Sequence, residues 1–175
     1  SGDEHSRVVV QFLNQHPDIV VIHVSSKNTK AYESITNEQI HCLVGNEGHR
    51  LESVFEGTVP GKRTAVLPPY PRIMGTFIPS YFQGKAFQLK EITFSQHLKD
   101  SVTALAIQTA FDIGCDELYF VGYDGYNGII TQEELELFNE NEALFSELHE
   151  RKIKFSTLTP SKYKELPKSS IYASI

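Results

Sequence analysis

The chain has no tryptophan, a single methionine and only two cysteines among 175 residues. Cys42 and Cys115 lie far apart and form no CxxC pair, so neither a disulfide framework nor a structural zinc site is expected. Both read as reduced, buried thiols. No apolar run approaches the roughly 18 residues needed to span a bilayer. Positive charge is also short: the net charge is −6. That balance argues against a nucleic-acid backbone or a membrane surface as the main partner. It leaves room for a small anionic metabolite held by a local nest of backbone N–H groups. Ser1-Gly2-Asp3-Glu4-His5 is polar and acidic, without a signal-peptide pattern, so a cytoplasmic setting is the expectation. The chain also lacks a P-loop, a GxSxG elbow, an HExxH motif and an HxH pair. Its seven histidines are scattered. No metal site is expected, no catalytic nucleophile stands out, and no cofactor motif is evident.

What is present suits a single globular domain over residues 1–175, with 40% hydrophobic and 22% charged residues. Val8–Leu13 reads as a short helix stopped before Pro17. Ile19-Val20-Val21-Ile22-His23-Val24 is a β-branched run with little alternation, which suits a strand covered on both faces. Thr29–Ile35 reads as a helical turn or two, Ile40–Gly45 as a strand, and Leu51–Phe55 as a short helix. Ala65–Leu67 is a brief strand. Pro68–Gly84 is too rich in proline for regular structure and reads as a long loop or lid.

Phe87–Ile92 is the next strand candidate. Thr93 or Ser95 is placed to cap a following helix, with Gln96 completing a capping box, and Gly114 is its stop. Glu117–Gly122 is a strong strand candidate. Thr131-Gln132-Glu133-Glu134 is a capping box that opens a helix to about Arg151, with Leu135, Phe138, Phe145 and Leu148 on its buried stripe. Ile153–Leu158 is a last strand, and Thr159–Ile175 reads as irregular. Strands alternate with helices, which implies right-handed βαβ units. The fold class expected is α/β: a three-layer, Rossmann-like, open and mainly parallel sheet with helices on both faces.

In open α/β sheets, ligands bind outside the carboxyl ends of the strands. Three loops qualify. Ser25, Ser26 and Asn28 offer hydroxyls and an amide just before a helical turn, suited to phosphate or carboxylate. Gly45, Gly48 and Arg50 offer a tight turn and an anion partner. Gly122-Tyr123-Asp124-Gly125 directly follows a buried strand, where Asp124 could hold ribose hydroxyls or a cation and Tyr123 could stack on a base. For each loop the plain alternative is capping or turn formation. Asn141 falls on the 138, 141, 145, 148 face of the last helix, so it should be buried and need a hydrogen-bond partner. His23 ends a buried strand and reads first as a satisfied core histidine.

The runs Val20–Asn28, Leu118–Tyr126 and Asn139–Glu142, with Leu158–Tyr163 and Ser170–Tyr172, carry a resemblance. The chain resembles the C-terminal domain attached to certain bacterial HMG-CoA-lyase-like aldolases of the 4-hydroxy-2-oxovalerate aldolase type. More distantly it is similar to Rossmann-like domains of pterin diphosphokinases and of a sialyltransferase family. The resemblance implies a C-terminal fragment of a longer protein whose first strand and Gly-rich loop precede Ser1. It implies as partner an N-terminal aldolase barrel on the same polypeptide, with this chain as an accessory domain for a nucleotide, nucleotide-sugar or phosphorylated metabolite. A (β/α)₈ barrel needs about 250 residues, so this chain is not the catalytic barrel. A glycosyl- or diphosphoryl-transferase and a non-catalytic interaction module are the alternatives. Assembly of identical copies stays open.

Overall fold

Strands and helices alternate along the chain in the computed structural model, which describes residues 2–56, 61–72, 75–95, 98 and 100–171. The order is α1 (Gly2–Gln15), β1 (Val21–His23), β2 (Gln39–Cys42), α2 (Glu47–Phe55), β3 (Arg63–Leu67), β4 (Ala86–Gln88), α3 (Val102–Asp112), β5 (Glu117–Phe120), α4 (Gln132–Glu150) and β6 (Lys154–Thr157). Short 3₁₀ turns cover Thr29–Tyr32 and Ser80–Phe82.

β1 to β4 form one parallel sheet in sequence order, and β5 pairs with β6 in a second, two-stranded parallel sheet. The register aligns His23 with His41 and Gln39 with Arg63. Alternate residues of each strand then face opposite sides. Ile40, Cys42 and Val66 turn to one side and share a core with Ala104, Leu105 and Ile107 of α3 and Leu144, Phe145 and Leu148 of α4. Phe120 and Phe155 of the second sheet belong to the same cluster, so one core runs beneath both sheets. On the other side Val21 packs with Val9, Phe12 and Leu13 of α1, while Leu43, Ala65 and Leu67 pack with Leu51 and Phe55 of α2. Helices thus cover both faces in a three-layer, Rossmann-like arrangement. Double coverage explains why β1 and β2 arise from apolar runs without alternation. Among the described residues no helix is long and apolar enough to cross a membrane.

Local chemistry sets the helix ends. Thr131 Oγ1 accepts from the Glu134 N–H at 3.2 Å and Glu134 Oε2 accepts from the Thr131 N–H at 2.8 Å, closing the expected capping box. The helix expected after Thr93 starts later, at Val102, because Ser101 caps it by accepting from the Ala104 N–H. The Thr93 N–H is instead bound by Gln108 Oε1 at 2.8 Å, with the Phe94 N–H at 3.2 Å on the same oxygen. That buried glutamine holds Ile92 and Phe94 in the core as irregular chain, so β4 ends at Gln88 rather than Ile92. Gln96 lies outside the described residues, as do positions 73 and 74 of the proline-rich loop.

One expected apolar contact differs. Leu135 is 39% exposed, because it sits on the first turn of α4 before the helix reaches the core. The stretch after Thr159 is irregular but not loose: Tyr163, Leu166 and Ile171 are buried, and Lys168 bridges to Thr157 at the edge of β6. Cys42 is buried and Cys115 only partly so; both are free thiols.

Candidate functional site

The carboxyl ends of β2 and β3 open into a groove of about 490 Å³ lined by Gly45, Asn46, His49, Gly75, Thr76 and Phe77. One wall is the turn from β2 into α2; the other belongs to the proline-rich segment after β3. Gly48 brings the walls together. A Cβ on Gly48 would lie 1.9 Å from the Phe77 carbonyl oxygen, so only glycine permits this approach. The approach stacks the exposed His49 ring on Phe77, with centroids 4.0 Å apart and planes 14° from parallel. Asn46 is the N-cap of α2 but its side chain makes no capping bond. The Thr76 hydroxyl is covered and has no hydrogen-bond partner among the described residues. Among the described residues no Lys, Arg, Asp or Glu lines the groove.

The expected site residues fall into two groups. In the first, Glu47 joins the loop after β1 to the start of α2. Its Oε2 accepts from the Ser26 N–H at 2.7 Å, and its Oε1 accepts from Arg50 at 2.6 Å. The chain's own carboxylate thus takes the Ser26 N–H and one N–H of the Arg50 guanidinium. Ser25 Oγ accepts from the Lys27 N–H at 3.2 Å, and Asn28 takes a left-handed conformation (φ 60°) without a side-chain cap. Gly45 lines the groove and Gly48 is buried against Phe77, whereas Arg50 stays largely exposed at its rim.

The second group surrounds the loop after β5. Gly122 donates its N–H to Thr159 Oγ1 at 3.1 Å. Tyr123 does not face outward: its ring packs against Phe120 and Phe145 and its hydroxyl meets Thr103 Oγ1 at 2.9 Å. Burial raises its pKa above the ordinary tyrosine value. It cannot stack on a base in this arrangement. The segment after β6 closes over the loop. Ser161 Oγ donates to the Tyr123 carbonyl at 2.6 Å, the Lys162 N–H donates to the Asp124 carbonyl at 3.0 Å, and Lys162 Nζ donates to the Tyr126 carbonyl at 2.9 Å and to Asn127 Oδ1. Gly125 (φ 82°) sits where a Cβ would come within 3.0 Å of the Lys162 side chain. Asp124 is exposed. Asn141 is 5% exposed and donates to the Tyr163 hydroxyl at 3.1 Å; its Oδ1 has no partner. Asn141 thus anchors the segment that covers the Asp124 loop. Among the described residues no hydrogen bond or ion pair links this second group to the first.

Sequence reasoning missed a buried polar ribbon across β1, β2 and β3. His23 Nε2 donates to Gln39 Oε1 at 2.8 Å, and Gln39 Nε2 donates to the Tyr32 carbonyl at 3.2 Å. Arg63 donates to His41 Nε2 at 2.8 Å. The two imidazoles stack at 4.5 Å, and Arg63 also lies 5.0 Å from the centre of the Phe55 ring. An arginine can only donate, so His41 Nε2 is the acceptor and the ring proton sits on Nδ1, which is buried without a partner. Burial first, then the neighbouring His23 and Arg63, lower the His41 pKa to about 2. Burial lowers that of His23 to about 4 despite the Gln39 bond, and Arg63 adds to the lowering. Both rings are neutral near pH 7. Only the register of three parallel strands assembles this ribbon, and no local motif marks it.

Comparison with protein-family models, with curated proteins and with solved structures finds no match. The groove and the two loop groups stand on their own geometry.

Proposed function

We propose that the chain is an accessory ligand-binding domain of an aldolase-like carbon–carbon lyase, and that it takes a nucleotide, nucleotide-sugar or related phosphorylated metabolite. The observation that carries the ligand-binding reading is the groove at the carboxyl ends of β2 and β3, whose volume of about 490 Å³ suits a small metabolite. The lyase context rests on the sequence resemblance. Calorimetry with a nucleotide, a nucleotide-sugar and a sugar phosphate tests the reading on wild type, Phe77→Ala and Asp124→Ala. Binding lost in Phe77→Ala and kept in Asp124→Ala supports the groove. The converse pattern moves the site to the loop after β5, and no heat with any ligand overturns the reading.

One observation favours a second reading, a module that joins copies of the chain. Ile129 is fully exposed on the loop before α4, its neighbour Ile130 is 38% exposed, and Leu137 on α4 is 41% exposed. Concentration-dependent association on a sizing column, abolished by Ile129→Ser, would support it. A monomer at every concentration would refute it.

A further inference from the structure

Resting on the ligand-binding reading, we propose that the groove is a subsite for a neutral, planar heteroaromatic ring of the nucleobase kind, rather than for the phosphate of the same metabolite. Three observations point there. First, among the described residues the lining holds no formally charged side chain of the Lys, Arg, Asp or Glu type. A phosphate is commonly met by Arg or Lys. The nearest guanidinium, Arg50, stands outside the lining and is paired with Glu47.

Second, the lining does hold an aromatic platform. His49 and Phe77 are both surface-exposed, yet they stack on each other at 4.0 Å rather than dispersing into solvent. The Gly48 approach fixes the pair from beneath, so the platform is in place before any ligand arrives. A third flat ring continues such a stack at little ordering cost, because every base offers a π-face. Third, polar groups flank the platform. Asn46 stands at an N-cap position without using its amide for capping. A carboxamide offers an adjacent donor and acceptor, the pair that matches the hydrogen-bonding edge of a base. Thr76, on the lining, adds a covered hydroxyl that has no hydrogen-bond partner among the described residues.

The test is an amide-resolved NMR titration of the full chain with adenosine, guanosine, cytidine, uridine and ribose 5-phosphate. The expected result is that at least one nucleoside shifts residues 45–49 and 75–77 while ribose 5-phosphate does not. Phe77→Ala should weaken that nucleoside about tenfold, and Phe77→Tyr should retain it. Should Phe77→Ala fail to fold, Asn46→Asp serves instead. Asn46 is exposed, and losing the amide donor should change which base is preferred. Ribose 5-phosphate binding in the groove as well as or better than every nucleoside would overturn the base subsite and leave the metabolite-binding reading standing. No groove shift with any of the five compounds would overturn both. Nucleoside affinity unchanged in Phe77→Ala, or an unchanged order of base preference in Asn46→Asp, would likewise overturn the subsite.

Discussion

Acidification from about pH 8 to about pH 5 should cost the folded chain about 4 kcal/mol, most of it through two side chains. In the fold His23 and His41 hold their pKa values at about 4 and about 2, because burial and the adjacent Arg63 oppose a second charge. An unfolded histidine titrates near about 6.5. The folded values are depressed, so the unfolded chain binds more protons throughout the acid range. The stability is complete above the unfolded value and is lost as the pH falls below it. A pH of about 5 lies about 1.5 units below the unfolded imidazole value, so each of the two rings forfeits about 2 kcal/mol. Urea unfolding followed by circular dichroism at the two pH values measures the sum. A histidine-selective NMR titration measures the parts. The His23→Phe variant should lose only about half as much on acidification, since one titrating ring remains. Global charge repulsion is no rival explanation: the sequence pI is about 5.6, so net charge approaches zero over the same range. A loss under about 1 kcal/mol, or a His23 ring that titrates near its ordinary value, would refute the buried, neutral ribbon.

Other substitutions test other joints of the structure. Gly48→Ala drives a methyl group into the Phe77 carbonyl, and even after the helix-propensity gain of alanine it should cost about 2 kcal/mol by thermal or urea unfolding, with the 75–77 amides displaced. Thr131→Ala removes the capping box of α4 and should cost about 1 kcal/mol; an unchanged unfolding midpoint would show that α4 is held by its packed face alone. Tyr163→Phe leaves Asn141 buried without any partner and should cost about 1–3 kcal/mol. Adding Asn141→Leu should recover most of that loss, and a double-mutant cycle with no coupling would contradict the bond. Cys42 should resist a thiol reagent in the native chain and react once urea unfolds it, since burial raises its pKa and excludes the reagent.

Local chemistry was enough for much of this protein. The β-branched run ending at His23, the capping box at Thr131, and the alternation of strand and helix were sufficient to specify a parallel α/β sheet, because each depends on neighbours within a turn or a strand. The burial of Asn141 followed from helical spacing alone. Loops after β1, β2 and β5 were legible as strand-end loops for the same reason.

Their partners were not legible, because partners come from distant chain. The Ser26 N–H meets Glu47 only once β1 and β2 lie side by side. Tyr123 points inward because the chain turns at Gly122 (φ 79°) after β5 ends at Phe120, and its ring then packs against Phe120 and the distant Phe145. Gly48 looked like a turn residue, and its role appeared only when the Phe77 carbonyl was placed against it. The His23–Gln39–His41–Arg63 ribbon needs three strands in register. The sequence by itself determined the class of fold and which loops follow its strands. Tertiary structure alone decided which loop faces a groove, since hydrogen-bond partners and close approaches across tens of residues are set by packing, which no local pattern encodes.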